Sequence, residues 1–140
     1  MTCQVSQDLS EIVVEMGKVR FHSDVIPVNI EGDSREVCDE TIEVNGKRMQ
    51  YYAATIGNPH CVIPVDQVDQ SLAMELGSAL ENHPNFPNRT NVQFLQILDR
   101  NRIRIEIWER GAGYTLASGS SSSAAGAVAR KMGACDEKIT

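Results

Sequence analysis

Long apolar segments are absent from this 140-residue sequence. No run approaches the roughly 18 apolar residues that a membrane-spanning helix needs. Residues 1–10 have neither the basic start nor the apolar body of a secretory signal peptide. The sequence therefore predicts a cytoplasmic protein with no membrane partner.

Paired cysteines and clustered histidines are also missing. The four cysteines (Cys3, Cys38, Cys61 and Cys135) form no CxxC pair, and the histidines have no i, i+4 partner. The spacing therefore gives no support for a structural zinc site or a disulfide framework. We expect an intracellular chain with reduced thiols and no bound metal.

Basic residues are outnumbered by acidic ones. The chain carries 13 Lys and Arg against 19 Asp and Glu, for a formal net charge of −6. A nucleic-acid surface neutralises phosphates with clustered Lys and Arg, so we expect no nucleic-acid partner. The length predicts a single domain with a core of its own.

Common nucleotide-binding and hydrolase motifs are not present either. The segment GAGYTL has Leu116 where the third glycine of a dinucleotide-binding motif belongs, and there is no GxxxxGK[ST]. Ser118 is not part of a GxSxG motif. A triad of Ser118, His60 and an aspartate is a poor alternative, because any chain of this length offers such a trio.

The apolar pattern that is present predicts an α+β fold with a mostly antiparallel sheet. Asn45-Gly46 between two strand-like runs is a strong hairpin signal. Ile103, Ile105 and Ile107 alternate with polar residues, which favours a sheet covered on one face. Strands are predicted over 11–16, 36–44, 47–56, 61–65, 92–98 and 102–110. One helix is predicted to follow an N-cap at Asp69 and to run to about residue 81, and a second to span 120–132.

The stretch 109–133 is predicted to hold the functional site. Glycines and serines follow a strand and lead into a segment rich in Ala, Gly and Val, which indicates a tight loop and a closely packed helix. The first amides of a helix have no internal partner, and serine hydroxyls add further donors. A carboxylate or phosphate is therefore expected to bind between Ser118 and Ser121.

Asn58 and His60 lie in the segment Gly57-Asn58-Pro59-His60, which interrupts two strand-like runs. Asn58 fits a turn residue as well as a ligand contact. His60 fits a structural histidine as well as a catalytic helper. The residues alone leave both pairs of alternatives open.

Three motifs together resemble the C-terminal half of the diaminopimelate epimerase family. They are GNPHCV at 57–62, FPNRTNVQF at 86–94 and ERGAGYTLASG at 109–119. The resemblance implies a cofactor-independent amino-acid epimerase, in which a sheet wraps around a central Ala/Gly-rich helix. Substrate is expected between two such domains, at the helix N-termini.

The resemblance also assigns residue roles. Ser118, His60 and Glu109 match catalytic positions. The predicted substrate-binding residues are Asn58, Asn91, Glu109, Arg110, Gly119 and Ser120.

Two departures from the family pattern matter. Ser118 stands where the family has a cysteine that transfers the α-proton, and Tyr114 replaces an acidic residue. By the resemblance, an N-terminal half and the last strands are also missing, so residues 1–140 are predicted to form one incomplete C-terminal domain. We expect a chain that is inactive alone and forms a homo-oligomer or joins a missing N-terminal half. The alternatives are a non-catalytic carboxylate-binding module, or a partnered enzyme with a different isomerase or dehydratase chemistry.

Overall fold

The computed structural model describes residues 2–140. The strands are β1 (Thr2–Val5), β2 (Ile12–Glu15), β3 (Glu40–Val44), β4 (Lys47–Thr55), β5 (Pro59–Pro64), β6 (Asn91–Asp99), β7 (Arg102–Glu109) and β8 (Gly113–Thr115). The helices are α1 (Gln70–Glu81) and α2 (Gly119–Lys131). Strands β3 to β8 form one sheet in sequence order, and β1 pairs with β2 in a separate hairpin.

The sheet is antiparallel except where β5 runs parallel to β6. Parallel neighbours need a long crossover, and α1 provides it. Asp69 caps α1 by accepting a hydrogen bond from the amide of Leu72 at 2.9 Å. The predicted α+β class and mostly antiparallel sheet are confirmed.

The predicted hairpin around Asn45-Gly46 is confirmed, with positive φ angles of 49° and 78° at the two turn residues. The predicted strand 36–44 is too long, because Asp39 has a φ of 54° and breaks the extended run. The strand begins at Glu40 instead. The predicted start of β5 at Cys61 is two residues late, since Pro59 already pairs with Thr55.

A helix packs on each face of the sheet. Successive residues of β4 point to opposite faces: Tyr51 and Ala53 join the core under α1, whereas Tyr52 and Ala54 join the core under α2. The expectation of a sheet covered on one face is therefore wrong. Trp108, which alternation places on the face of β7 opposite Ile103, Ile105 and Ile107, packs against the α1 core.

Helix α2 approaches the sheet closely because its buried face is small. Ala124, Ala125, Val128 and Ala129 are all fully buried against this face of the sheet. The helix ends in a Schellman motif, in which Gly133 has a φ of 74° and the amide of Ala134 donates to the carbonyl of Ala129 at 3.1 Å.

The predicted strand 11–16 exists as β2, but its partner β1 was not foreseen. Both strands are exposed along their whole length. Among residues 2–140, no helix is long and apolar enough to cross a membrane.

Replacing Gly77 with alanine is predicted to destabilise the protein. A Cβ at Gly77 would lie 2.4 Å from Cδ2 of the Trp108 ring. We expect Gly77→Ala to lower the free energy of unfolding by about 1–3 kcal/mol, because overpacking outweighs the gain in helix propensity. Urea denaturation monitored by circular dichroism measures the change in the free energy of unfolding.

Gly126→Ala is the matched control in α2, because its added Cβ meets only Ile139 at an ordinary 3.9 Å. We expect it to raise the free energy of unfolding by up to about 1 kcal/mol. Equal stability of the two variants would contradict the proposed close contact at Gly77.

Candidate functional site

The predicted site residues converge on one edge of the sheet. Strands β5 and β6 are parallel and therefore begin at the same edge. The antiparallel strand β7 ends there. The first turn of α2 is held at β6 by Ser121, whose hydroxyl accepts a hydrogen bond from Gln93 Nε2 at 2.9 Å. Segments far apart in sequence thus meet at this edge.

Asn91 joins two of these segments. Its side-chain Nδ2 donates to the carbonyl of Pro59 at 2.9 Å, and its Oδ1 accepts from the amide of Arg110 at 2.9 Å. Asn91 is only 7% exposed. The structure therefore shows it holding the start of β5 and the end of β7 together, and its role as a substrate contact stays a prediction.

His60 is fully buried at the start of β5. Its Nε2 lies 3.0 Å from Asn58 Oδ1, which can only accept, so Nε2 carries the proton. Its Nδ1 has no partner within the described residues. Burial lowers the pKa of His60 to about 4, against an opposing contribution from Gln93, and the positive charge of Arg110 lowers it further. His60 is thus neutral at pH 7.

The start of α2 presents backbone donors. Ser118 is the N-cap residue, and its Oγ accepts from the amide of Ser121 at 3.3 Å. The amides of Gly119 and Ser120 have no hydrogen-bond partner among residues 2–140. Two free amides at the positive end of a helix dipole favour an anion.

Glu109 and Arg110 lie half-buried in the turn that follows β7. The amide of Ala112 donates to the carbonyl of Glu109 at 3.2 Å, and Gly111 has a φ of 78°, as a type II turn requires at its third residue. Arg110 Nη1 donates to the carbonyl of Asn88 at 3.2 Å. The turn thus brings a carboxylate and a guanidinium to the same edge.

A cavity of about 660 Å³ lies elsewhere, lined by residues that include Arg35, Glu40 and Tyr51, and none of its lining residues belongs to the predicted site. Within the described chain no group of three or more His, Cys, Asp or Glu residues is placed to hold a metal ion.

Sequence reasoning missed Gln93 and its hydrogen bond to Ser121, which fixes α2 to β6. Gln93 is fully buried, and its Oε1 has no partner in the part of the chain that the structure describes. A polar residue inside the apolar run from Val92 to Leu95 was the available signal.

Comparison with known proteins finds similar sequences in one family. A family model described as diaminopimelate epimerase matches residues 52–140. The chain is 59% identical over 128 residues to diaminopimelate epimerase 2 of a Nostoc species, covering 91% of this chain and 44% of that protein.

Two further relatives are more distant. The diaminopimelate epimerase of Stutzerimonas stutzeri is 42% identical over 92% of this chain and 46% of its own length. That of Moorella thermoacetica is 40% identical over 91% of this chain and 45% of its own length. The chain therefore spans less than half the length of these curated relatives. The matched segment contains all the converging site residues, and the chain belongs to the diaminopimelate epimerase family.

Proposed function

We propose that this chain forms the C-terminal half of a cofactor-independent epimerase that interconverts LL- and meso-diaminopimelate. The observation that carries the proposal is the pair of free amides at Gly119 and Ser120, at the same edge of the sheet as the turn that holds Glu109 and Arg110. Such an arrangement suits an amino acid, which presents a carboxylate and an ammonium group on one carbon.

The roles follow from the charges at this edge. The α-carboxylate binds the free amides of α2, and the ammonium group faces the carboxylate of Glu109. Asn58 orients His60, whose neutral ring lies near the reacting carbon without adding charge. Asn91 and Arg110 complete the substrate contacts.

The chemical step is removal of the α-proton on one face and its return on the other. Ser118 occupies one of these positions. A helix N-terminus lowers the pKa of a thiol toward neutrality, whereas an alcohol is not ionised there. Ser118 therefore donates a proton poorly and cannot act as the base.

A partner supplies the opposite face of the site. The short span of the chain relative to these relatives supports this proposal. The exposed edges at β3 and β8 favour association, either with an N-terminal half or with a second copy.

The non-catalytic alternative is not favoured, since the relatives named above are epimerases. We place the protein in the cytoplasm, consistent with four unpaired cysteines.

Removing one amide at the start of α2 is predicted to weaken ligand binding. Gly119→Pro deletes a donor at the first helical position, where proline preserves the helix. We expect the affinity of the chain for meso-diaminopimelate to fall about tenfold by calorimetry.

Gln70→Pro is the matched control, because Gln70 is the first residue of α1 and also follows an N-cap in extended conformation. It should leave the affinity unchanged. Absence of binding by the wild-type chain, or equal binding by both variants, would contradict the proposed anion site.

The isolated chain is predicted to show no turnover. In deuterated buffer, we expect NMR to show no replacement of the α-proton of diaminopimelate by deuterium, because the chain lacks the opposing acid-base group. Adding the N-terminal half of the Nostoc relative should start exchange, and Ser118→Cys in that mixture should raise its rate at least about tenfold. Exchange by the pure chain would overturn the need for a partner.

His60 is predicted to make stability depend on pH. Its folded pKa of about 4 lies below the unfolded value of 6.5, so the neutral form is favoured by folding. Its contribution is present above pH 6.5 and is lost as the pH falls toward 4, because only the unfolded state gains a proton. Urea denaturation of wild type and His60→Gln between pH 7 and pH 4.5 measures this. If the free energy of unfolding of the two proteins falls equally with pH, His60 is not the cause of the pH dependence.

A further inference from the structure

Glu81 is a buried acidic residue that the proposed roles do not use. It is the last residue of α1 and is 6% exposed. A carboxylate is rarely buried unless donors surround it, because leaving water costs free energy that only charge pairing or hydrogen bonds offset.

Three donors from different parts of the chain surround this carboxylate. Oε1 accepts from the amide of Gly111 at 2.7 Å and from Arg89 Nη1 at 3.1 Å. Oε2 accepts from the indole N–H of Trp108 at 2.8 Å. One side chain therefore joins the end of α1, the loop before β6, strand β7 and the turn after β7.

Gly111 belongs to the turn that carries Glu109 and Arg110. The preceding amide, that of Arg110, donates to Asn91 Oδ1. Two consecutive amides of this turn are thus held by side chains from other elements. The orientation of these two amides fixes the backbone of the turn and therefore the directions in which the Glu109 and Arg110 side chains point.

We propose that Glu81 is a positioning residue that holds this turn in the geometry needed to bind the ammonium and carboxylate groups of the substrate. It contacts no substrate itself. The identity of the ligand rests on the proposed function, whereas the effect of Glu81 on the turn does not.

Glu81→Gln tests the proposal because it keeps the size of the side chain and removes one acceptor. Glutamine has a single acceptor oxygen and an NH₂ group, so it cannot receive all three donors. We expect the Gly111 and Arg110 amides to shift in nitrogen–proton NMR spectra and to exchange faster with solvent. Fluorescence of Trp108, the single tryptophan, should change as well.

Glu75→Gln is the matched charge control. Glu75 lies on the same helix, is exposed, and pairs only with Lys47 at 2.9 Å among the described residues. It should leave the fluorescence and both amides unchanged.

Binding provides the functional measurement. We expect Glu81→Gln to weaken binding of meso-diaminopimelate about 10- to 100-fold. Ile42→Val is the stability control, because Ile42 is buried in the α1 core away from the turn and its shortening destabilises the fold modestly. Its affinity should equal that of wild type.

The outcomes separate the two proposals. If wild type binds no diaminopimelate, the proposed function fails, and the amide measurements still test the effect of Glu81 on the turn. If the NMR signals and exchange rates of the Gly111 and Arg110 amides are as unchanged in Glu81→Gln as in Glu75→Gln, the positioning role is overturned. If the amides shift while the affinity matches that of Ile42→Val, the role in binding is overturned.

Discussion

The close approach of α2 to the sheet is the contact on which the rest of the structure depends. A helix with large side chains on its buried face would stand farther from the strands, and its first turn would not reach β6. Ala124, Ala125, Val128 and Ala129 allow the approach because they have little bulk. The apolar face of the sheet, including Tyr52 and Leu95, packs against these small side chains. The N-terminus of α2 thereby lies at the edge where the parallel strands begin.

Polar side chains inside this packing set the details of the edge. Gln93 holds Ser121, Asn91 holds the start of β5 and the end of β7, and Glu81 holds the turn after β7. Buried hydrogen bonds of this kind contribute modestly to stability but strongly restrict alternative arrangements. The stability of the fold therefore comes mainly from apolar burial. The geometry of the site comes from buried polar groups.

Local signals made much of the fold predictable. Asn45-Gly46 marked the hairpin, Asp69 marked the start of α1, and the Ala/Gly-rich segment marked α2 within one residue at each end. Strand β2 was recognised from its apolar run, whereas its partner β1 was missed because it is exposed and its sequence TCQV shows neither an apolar run nor a periodic pattern. The packing of Trp108 on Gly77 was missed because it joins residues distant in sequence.

The sequence by itself determined both helices, six of the eight strands and the donors at the start of α2, because these depend on residues within a few positions of one another. It also determined the family, through three motifs that occur in order. Only the tertiary structure decided that the segments bearing these motifs share one edge and that Glu81 supports one of them. Those relations depend on strand order and helix placement, which follow from burial of the whole chain and not from any local pattern.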